Sequence, residues 1–353
     1  MKRDYYTSLA RSGLRMPIGT HLLLHQQEDV GAVLLDGVRL GKVIEETARC
    51  FRTPLGMPLM DLALEKEELL TALHIPAEKI DSFHFDTAPS SQPDFSLTPR
   101  MQATCEAIRY VAAQQDLLPI GMAIGPFSFM TKLVADPIMP VFTAGTGVTA
   151  DEDPEVELVE KTLKLVQGVI LSYLREQIAA GAKAIVVCEP AANKVYFSPN
   201  QLAESYEIFD RYVMAPNREI KDLLESNGVD LIFHDCGELT DDMVQRFGTL
   251  DPAILSLGSS RVLWEDARLI SKNTVLYGNL PSKHFYSDAT ITTRKVSSIA
   301  MELVKKMNEI DHPFILGSEC DVLSVPKCEA TIREKVDAFM SCDCGSIHSL
   351  KVA

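Results

Sequence analysis

Ala184-Ile185-Val186-Val187-Cys188 and Leu231-Ile232-Phe233-His234 are two short β-rich runs separated by a longer helical segment over residues 201–226. A strand followed by a helix and a second strand reads as a parallel pair, because the helix carries the chain back to the starting edge. The same alternation extends outward. Leu118–Ile124 precedes this unit, and Ile254–Leu257, 275–278 and 314–317 follow it as β-rich runs. Helical segments are expected at 156–180, 240–247, 262–270 and 292–310. The first of these places Val159, Leu163, Val166, Ile170 and Leu174 on one face, and Gly181 stands where a helix C-cap belongs.

Upstream, 17–24 and 82–85 read as two further strands, with helices at 37–51 and 98–115. Eight strands with intervening helices make an α/β protein, a single (β/α)8 TIM barrel with N-terminal elaboration. The expectation is one domain over residues 1–353, in which 1–80 hold the elaboration and the first strand. The stretch 126–155, rich in Gly, Pro, Thr and Asp, reads as a long loop over the barrel mouth.

Composition narrows the functional classes. At 46% hydrophobic over 353 residues the chain is rich enough in apolar side chains for a large core. A net charge of −15 argues against nucleic-acid binding, which relies on clustered Lys and Arg. No apolar run reaches the roughly 18 residues of a membrane span. The first residues are polar, with no secretory signal behind them. Eight cysteines scattered through a chain of this length fit a reducing cytoplasm, where a Cys/His cluster points to metal binding or catalysis.

One such set stands at strand ends. His234 and Cys236 close the run Leu231-Ile232-Phe233-His234-Asp235-Cys236-Gly237, and Cys320 closes Phe314-Ile315-Leu316-Gly317-Ser318-Glu319-Cys320. Barrel active sites lie at the C-terminal ends of the strands, so distant residues can converge there. Imidazole with two thiolates suits zinc, and three protein ligands leave a fourth position for chemistry. Glu319 is a candidate for that fourth position. The alternative is a buried polar histidine with two small core cysteines.

The run Ala180-Gly181-Ala182-Lys183-Ala184-Ile185, then Glu189-Pro190-Ala191-Ala192 and Phe197-Ser198-Pro199, resembles the uroporphyrinogen decarboxylase superfamily, as does Gly125-Pro126-Phe127-Ser128. His234-Asp235-Cys236-Gly237 and Gly317-Ser318-Glu319-Cys320 resemble one branch of it, the zinc-dependent methyltransferases that work with corrinoid proteins, such as the methylcobamide:coenzyme M methyltransferases. The resemblance covers most of the chain from about residue 100 onward. It implies that His234, Cys236 and Cys320 bind zinc and take part in catalysis. It also implies a corrinoid (methylcobalamin) supplied by a partner corrinoid protein, and a role in one-carbon metabolism. The stretch Arg15-Met16-Pro17-Ile18-Gly19-Thr20-His21 lacks the Arg-rich pattern with which the decarboxylases hold substrate carboxylates.

Other residues invite a functional and a structural reading together. Glu189, ending the fourth strand, is a candidate catalytic base that orients a ligand or substrate, or a salt-bridged rim carboxylate. Arg261, after Gly258-Ser259-Ser260, could hold a phosphate or carboxylate, or belong to an ordinary turn. Asn279 could hydrogen-bond a substrate or a corrinoid edge. His21 and His25 read as rim or substrate-pocket histidines. Asp235 reads as structural, Trp264 as core, and Cys342-Asp343-Cys344 as an exposed tail.

The expected function is zinc-dependent methyl transfer between a small substrate, of thiol, methyl ether or methylamine type, and the cobalt of a separate corrinoid protein. No cobalamin-binding module is evident in the sequence. The alternatives are a metal-independent lyase related to the decarboxylases and a non-catalytic relative that binds a corrinoid or small ligand. The oligomeric state stays open, with a homodimer among the options.

Overall fold

The computed structural model describes residues 3–89 and 91–342. Its strands are β1 (Arg15–Ile18), β2 (Leu55–Gly56), β3 (Leu118–Ile124), β4 (Ala184–Cys188), β5 (Asp230–Asp235), β6 (Ile254–Leu257), β7 (Val275–Leu280) and β8 (Phe314–Asp321). All pair in parallel, in the order β2-β3-β4-β5-β6-β7-β8-β1. This is a (β/α)8 barrel. Among the described residues no backbone ladder joins β1 to β2. Side chains close that seam instead: Thr20 Oγ1 donates to the Met57 carbonyl at 2.7 Å, and Met16, Ile18, Leu55 and Met57 share one apolar cluster.

Strand alternation decides which side chains face the axis. Along β4, Ala184, Val186 and Cys188 lie in the inner cluster, while Ile185 and Val187 lie in the outer core under the helices. On β5, Ile232 faces inward and Leu231 and Phe233 face outward. His234 therefore continues the inner row of Ile232. Both faces of these strands are covered, so they read as unbroken apolar runs rather than alternating ones.

Helices form where caps and apolar faces agree. The 26-residue helix Pro154–Ala179 begins with Asp153, whose Oδ1 accepts from the Glu155 and Val156 amides at 2.8 and 3.0 Å, and with Pro154 in the first turn. Gly181 follows its C-cap at φ +106°, a conformation that L-residues with a Cβ avoid.

Several expectations need correction. The 17–24 strand ends at Ile18, and Thr20–Leu24 is a short helix that buries Leu22, Leu23 and Leu24; a brief apolar run does not choose between strand and helix. The 82–85 segment is not a strand. The second strand is Leu55–Gly56, and two residues carry no periodic signal. The 126–155 stretch holds two helices, Pro126–Thr131 and Ile138–Gly145, and Phe127, Phe129 and Met130 are fully buried. Pro126 marks a helix start there, not a loop. The single helix expected over 201–226 is broken into Pro199–Glu204, Glu207–Phe209, a π-helical turn at Asp210–Met214 and Ala215–Ser226. Pro216 has no N–H for the regular ladder, which accounts for the widened turn before it. The 262–270 helix is reduced to Leu263–Asp266. No helix among the described residues is long and apolar enough to cross a membrane.

Candidate metal centre

His234, Cys236 and Cys320 meet at the C-terminal mouth of the barrel, with their ligand atoms all within 4.8 Å of one another. The two Sγ atoms stand 3.9 Å apart. Zn–S bonds of about 2.3 Å at tetrahedral angles would separate two sulfurs by about 3.8 Å. His234 is almost fully buried. Its Nδ1 meets Ser256 Oγ at 2.8 Å, while its Nε2 has no hydrogen-bond partner. Ser256 is the residue that strand register sets beside His234, so the contact follows directly from the β5–β6 pairing. A buried imidazole with one nitrogen held and the other left bare is the arrangement of a metal-binding histidine. The donor set thus fits zinc.

The sulfurs form an unequal pair. The Cys236 thiol is pulled well below its usual range, chiefly by the hydrogen bond from Cys320, then by His234 and Lys283, against the effect of burial. Cys320 is pushed up correspondingly by Cys236 and by burial. One thiolate is therefore present at neutral pH, ready for a metal. Lys283, exposed on the rim after β7, has its pKa raised: burial pulls it down, but the charges of Cys236, Glu319 and Cys320 outweigh that.

Local geometry delivers both sulfurs to the same space. Cys236 packs its backbone against Gly258, where a Cβ would come within 2.8 Å of the Cys236 carbonyl oxygen. On β8 the register with β1 slips: Met16 pairs with Gly317, but Ile18 pairs with Asp321. Strict alternation would send neighbouring side chains to opposite faces. At this irregularity Cys320 and Asp321 both line the cavity in front of the cluster. That cavity measures about 450 Å³, and its lining also includes His21, Asp61 and Arg100.

A family model for uroporphyrinogen decarboxylase (URO-D) matches residues 73–341, well over half of the chain. The chain belongs to the URO-D family. Among solved structures it is similar to a methyltransferase from Methanosarcina mazei, with 14% identity, 96% of this chain and 98% of that one covered, and a TM-score of 0.62; this likeness concerns the fold. A B12-independent methionine synthase from Shewanella sp. W3-18-1 aligns at 14% identity over 67% of this chain and 65% of that one, with a TM-score of 0.43. No curated protein sequence matches this chain.

The remaining expected site residues divide sharply on this URO-D barrel. His21 lines the cavity. Its Nδ1 accepts from the Ser324 amide at 2.9 Å, and its ring lies 4.2 Å from that of His25. Burial and His25 lower its pKa to about 4, so it is a neutral imidazole at pH 7. Glu189 takes no place in the cavity wall. Its carboxylate accepts from the Phe127 and Ser128 amides, Ser128 Oγ and Asn217 Nδ2 at 2.7–3.0 Å, tying the Pro126–Thr131 helix to β4. The acceptor positions of Glu189 are thus occupied by donors of the fold.

Arg261 and Asn279 likewise make their contacts within the fold. The Arg261 guanidinium is spent on Asp266, Asp241 and the Leu239 carbonyl. Asn279 Nδ2 donates to the Gly258 and Arg261 carbonyls, both at 2.8 Å. Together they hold the loops beside Cys236. Glu319 points to the same loop, accepting from Ser259 N at 3.0 Å and Ser259 Oγ at 2.6 Å, and does not join the metal cluster. Asp235 Oδ1 accepts from the Gly237 amide at 2.7 Å, a turn contact. Trp264 packs partly buried against the outer core. Of the Cys342–Cys344 segment, only Cys342 falls within the described residues.

Sequence reasoning passed over Lys283, Asp61, Arg100 and Asp321. Lys283 and Asp321 follow strand ends and could have been found by that position. Asp61 and Arg100 come from segments with no such marker. A second, larger opening of about 600 Å³ lies around Arg11–Arg15 and Met307–Phe314, at the opposite end of the barrel, and contains none of the clustered ligands.

Proposed function

We propose that this URO-D family chain is a zinc-dependent methyltransferase that moves a methyl group between a small substrate and the cobalt of a separate corrinoid protein. The observation that carries the reading is the unpartnered Nε2 of buried His234 facing two sulfurs at tetrahedral spacing beside a cavity. His234, Cys236 and Cys320 would hold the metal. When bound, zinc supplies a Lewis acid that deprotonates a coordinating thiol or polarises the heteroatom from which a methyl group departs.

The chain's own residues do the rest. Ser256 fixes the imidazole so that Nε2 stays aimed at the cluster. Two thiolates and one imidazole carry two negative charges against a divalent cation, leaving the set formally neutral and an added thiolate electron-rich. Neutral His21, accepting at Nδ1, keeps its Nε2–H as a donor toward a substrate. A cavity of about 450 Å³ suits a small molecule and not a corrin ring with its side arms. The corrinoid would therefore stay on its own protein and approach at the barrel mouth, since methyl transfer needs near-contact distance. The free thiols of the site agree with a cytoplasmic setting.

The decarboxylase alternative has less support. Arg15, on β1, turns its guanidinium to the carbonyls of Phe339, Met340 and Cys342, away from the cavity.

Metal content of wild type and Cys320→Ser, measured side by side, tests the reading. About one zinc per chain in the wild type and loss in the variant, with methyl transfer to free cobalamin lost in parallel and the barrel still folded, is the expected result. Normal zinc and full activity in Cys320→Ser would overturn it.

A further inference from the structure

The cavity at the barrel mouth is built from two unlike parts. Its metal cluster stands on β5 and at the end of β8, whereas much of the remaining lining comes from the segments after β1 and β2 and is aliphatic. Val30 and Leu34 lie one turn apart on the helix Val30–Leu34, whose N-cap Asp29 accepts from the Ala32 amide at 2.9 Å. Leu59, Met60 and Leu62 follow β2, and Leu323 follows β8. All six line the cavity; the first five are half-buried, and Leu323 is 53% exposed. Each therefore keeps apolar surface that water reaches. The polar groups of the same lining are engaged within the fold. Arg100 is bound by Asp61 and by Glu67 at 3.3 Å, His21 Nδ1 accepts from the Ser324 amide, and the Asp321 carboxyl accepts from the Val322 and Met60 amides. Lys283 sits against the Cys236–Cys320 pair. Apart from the metal donors, what this lining offers a ligand is mainly apolar contact.

We propose that the small molecule taken by this cavity carries an apolar body about the size of one aromatic ring on its reacting heteroatom. It is an aryl or arylalkyl thiol or methyl ether, and not a short compound ending in a carboxylate, sulfonate or ammonium. The inference rests on reading the cavity as the substrate site of the proposed methyltransferase, and it narrows the substrate class. Apolar surface withdrawn from water on both partners drives such binding in proportion to its area. An apolar cavity of about 150 Å³ already takes a benzene ring. The cavity here, at about 450 Å³, has room for one ring, its substituents and a heteroatom at the cluster. A charged headgroup against the aliphatic wall would lose hydration and gain no counter-charge there. Val30, Leu34, Leu59, Met60, Leu62 and Leu323 are thus specificity-determining residues, set apart from the three metal donors.

The test reads the apolar wall with and without the metal. In one arm, metal-free protein is titrated with anisole, propionate and propylammonium, and binding is followed by NMR. In the other, zinc-loaded protein is titrated calorimetrically with benzyl mercaptan and 2-mercaptoethanol, thiols of similar acidity. Wild type should bind anisole and neither ion, and should bind benzyl mercaptan at least about tenfold more tightly than 2-mercaptoethanol. Leu34→Gln and Leu323→Gln should each cut the benzyl preference severalfold, with zinc content and 2-mercaptoethanol affinity at wild-type values. Met301→Gln, at an exposed methionine on the helix Thr293–Glu309 outside the cavity, should change neither. Failure of zinc to load, with anisole binding intact and weakened by the wall substitutions, would remove the metal reading and keep this one. Absence of anisole binding, equal affinities for the two thiols in wild type, or anisole binding that the wall substitutions leave unchanged would overturn it. Leu323 is exposed, so its variant decides the question even if Leu34→Gln does not fold.

Discussion

The β4 end of the barrel mouth and the β8 end each present a buried carboxyl group, and the two differ in how fully they are partnered. Glu189 receives four hydrogen bonds from one helix N-terminus, one hydroxyl and one amide side chain. Asp321 has an oxygen with none, and its neighbours in space, His234 and the two cysteines, include a second bare buried atom. Native proteins satisfy nearly all buried polar groups, so a saturated carboxylate serves the fold and a cluster of unsatisfied atoms waits for something from outside. The difference separates structure from function within one ring of strand ends, and residue type alone would have ranked the two carboxylates equally.

Removing the saturated group should do the most damage. Glu189→Ala strips the partner from four buried donors, and a loss of about 3 kcal/mol or more of stability is expected by chemical denaturation. Asp321→Asn should stay within about 1 kcal/mol of wild type in the same assay, because no ion pair is lost and the asparagine oxygen can still accept from the Val322 and Met60 amides. Equal losses in the two variants would erase the contrast between the two ends.

Next in size is the pH response of a third buried carboxylate. Burial raises Glu65 to about 8, against the pull of backbone donors that include the Ile124 amide. The folded chain then binds this proton more tightly than the unfolded one, where a glutamate titrates near about 4. Stability from this group is therefore full below about pH 4 and falls as pH rises toward about 8. Glu65→Gln should flatten that decline in the metal-free protein, read as denaturant midpoints at several pH values. An unchanged slope would show that Glu65 ionises freely in the fold.

The smallest of these effects sharpens the unsatisfied side. Ser256→Ala removes the partner of His234 Nδ1 and leaves all three ligands in place. Zinc affinity should fall by about tenfold, with little change in apo stability. Competition with a chelator of known affinity would measure it, and wild-type affinity would mean that β5 packing alone orients the ring.

Legibility followed the regularity of the backbone. His234 and Cys236 were readable because β5 alternates, so that a histidine following Ile232 on the inner row must face the axis. Strands β3 to β8 were readable because both faces are buried and each carries a run of mostly apolar residues. The two-residue β2 was not, since Leu55–Gly56 gives no period to detect. Glu189, Arg261 and Asn279 kept two readings each in the sequence for one shared reason: a polar residue at a strand end looks the same whether its partner is a substrate or the next loop. Lys283 and Asp321 were within reach of the strand-end rule, while Asp61 and Arg100, from segments with no such marker, were not.

By itself, the sequence determined the parallel βα alternation, the barrel and the presence of three soft or borderline ligands at strand C-terminal ends, because these depend on local pattern and on strand direction. Only the tertiary structure decided which polar groups are spent and which remain bare. It alone contains the slipped register between β1 and β8 at which Cys320 and Asp321 both reach the cavity. The physical reason is that hydrogen-bond satisfaction is a property of partners brought together from distant parts of the chain, and no local pattern records it.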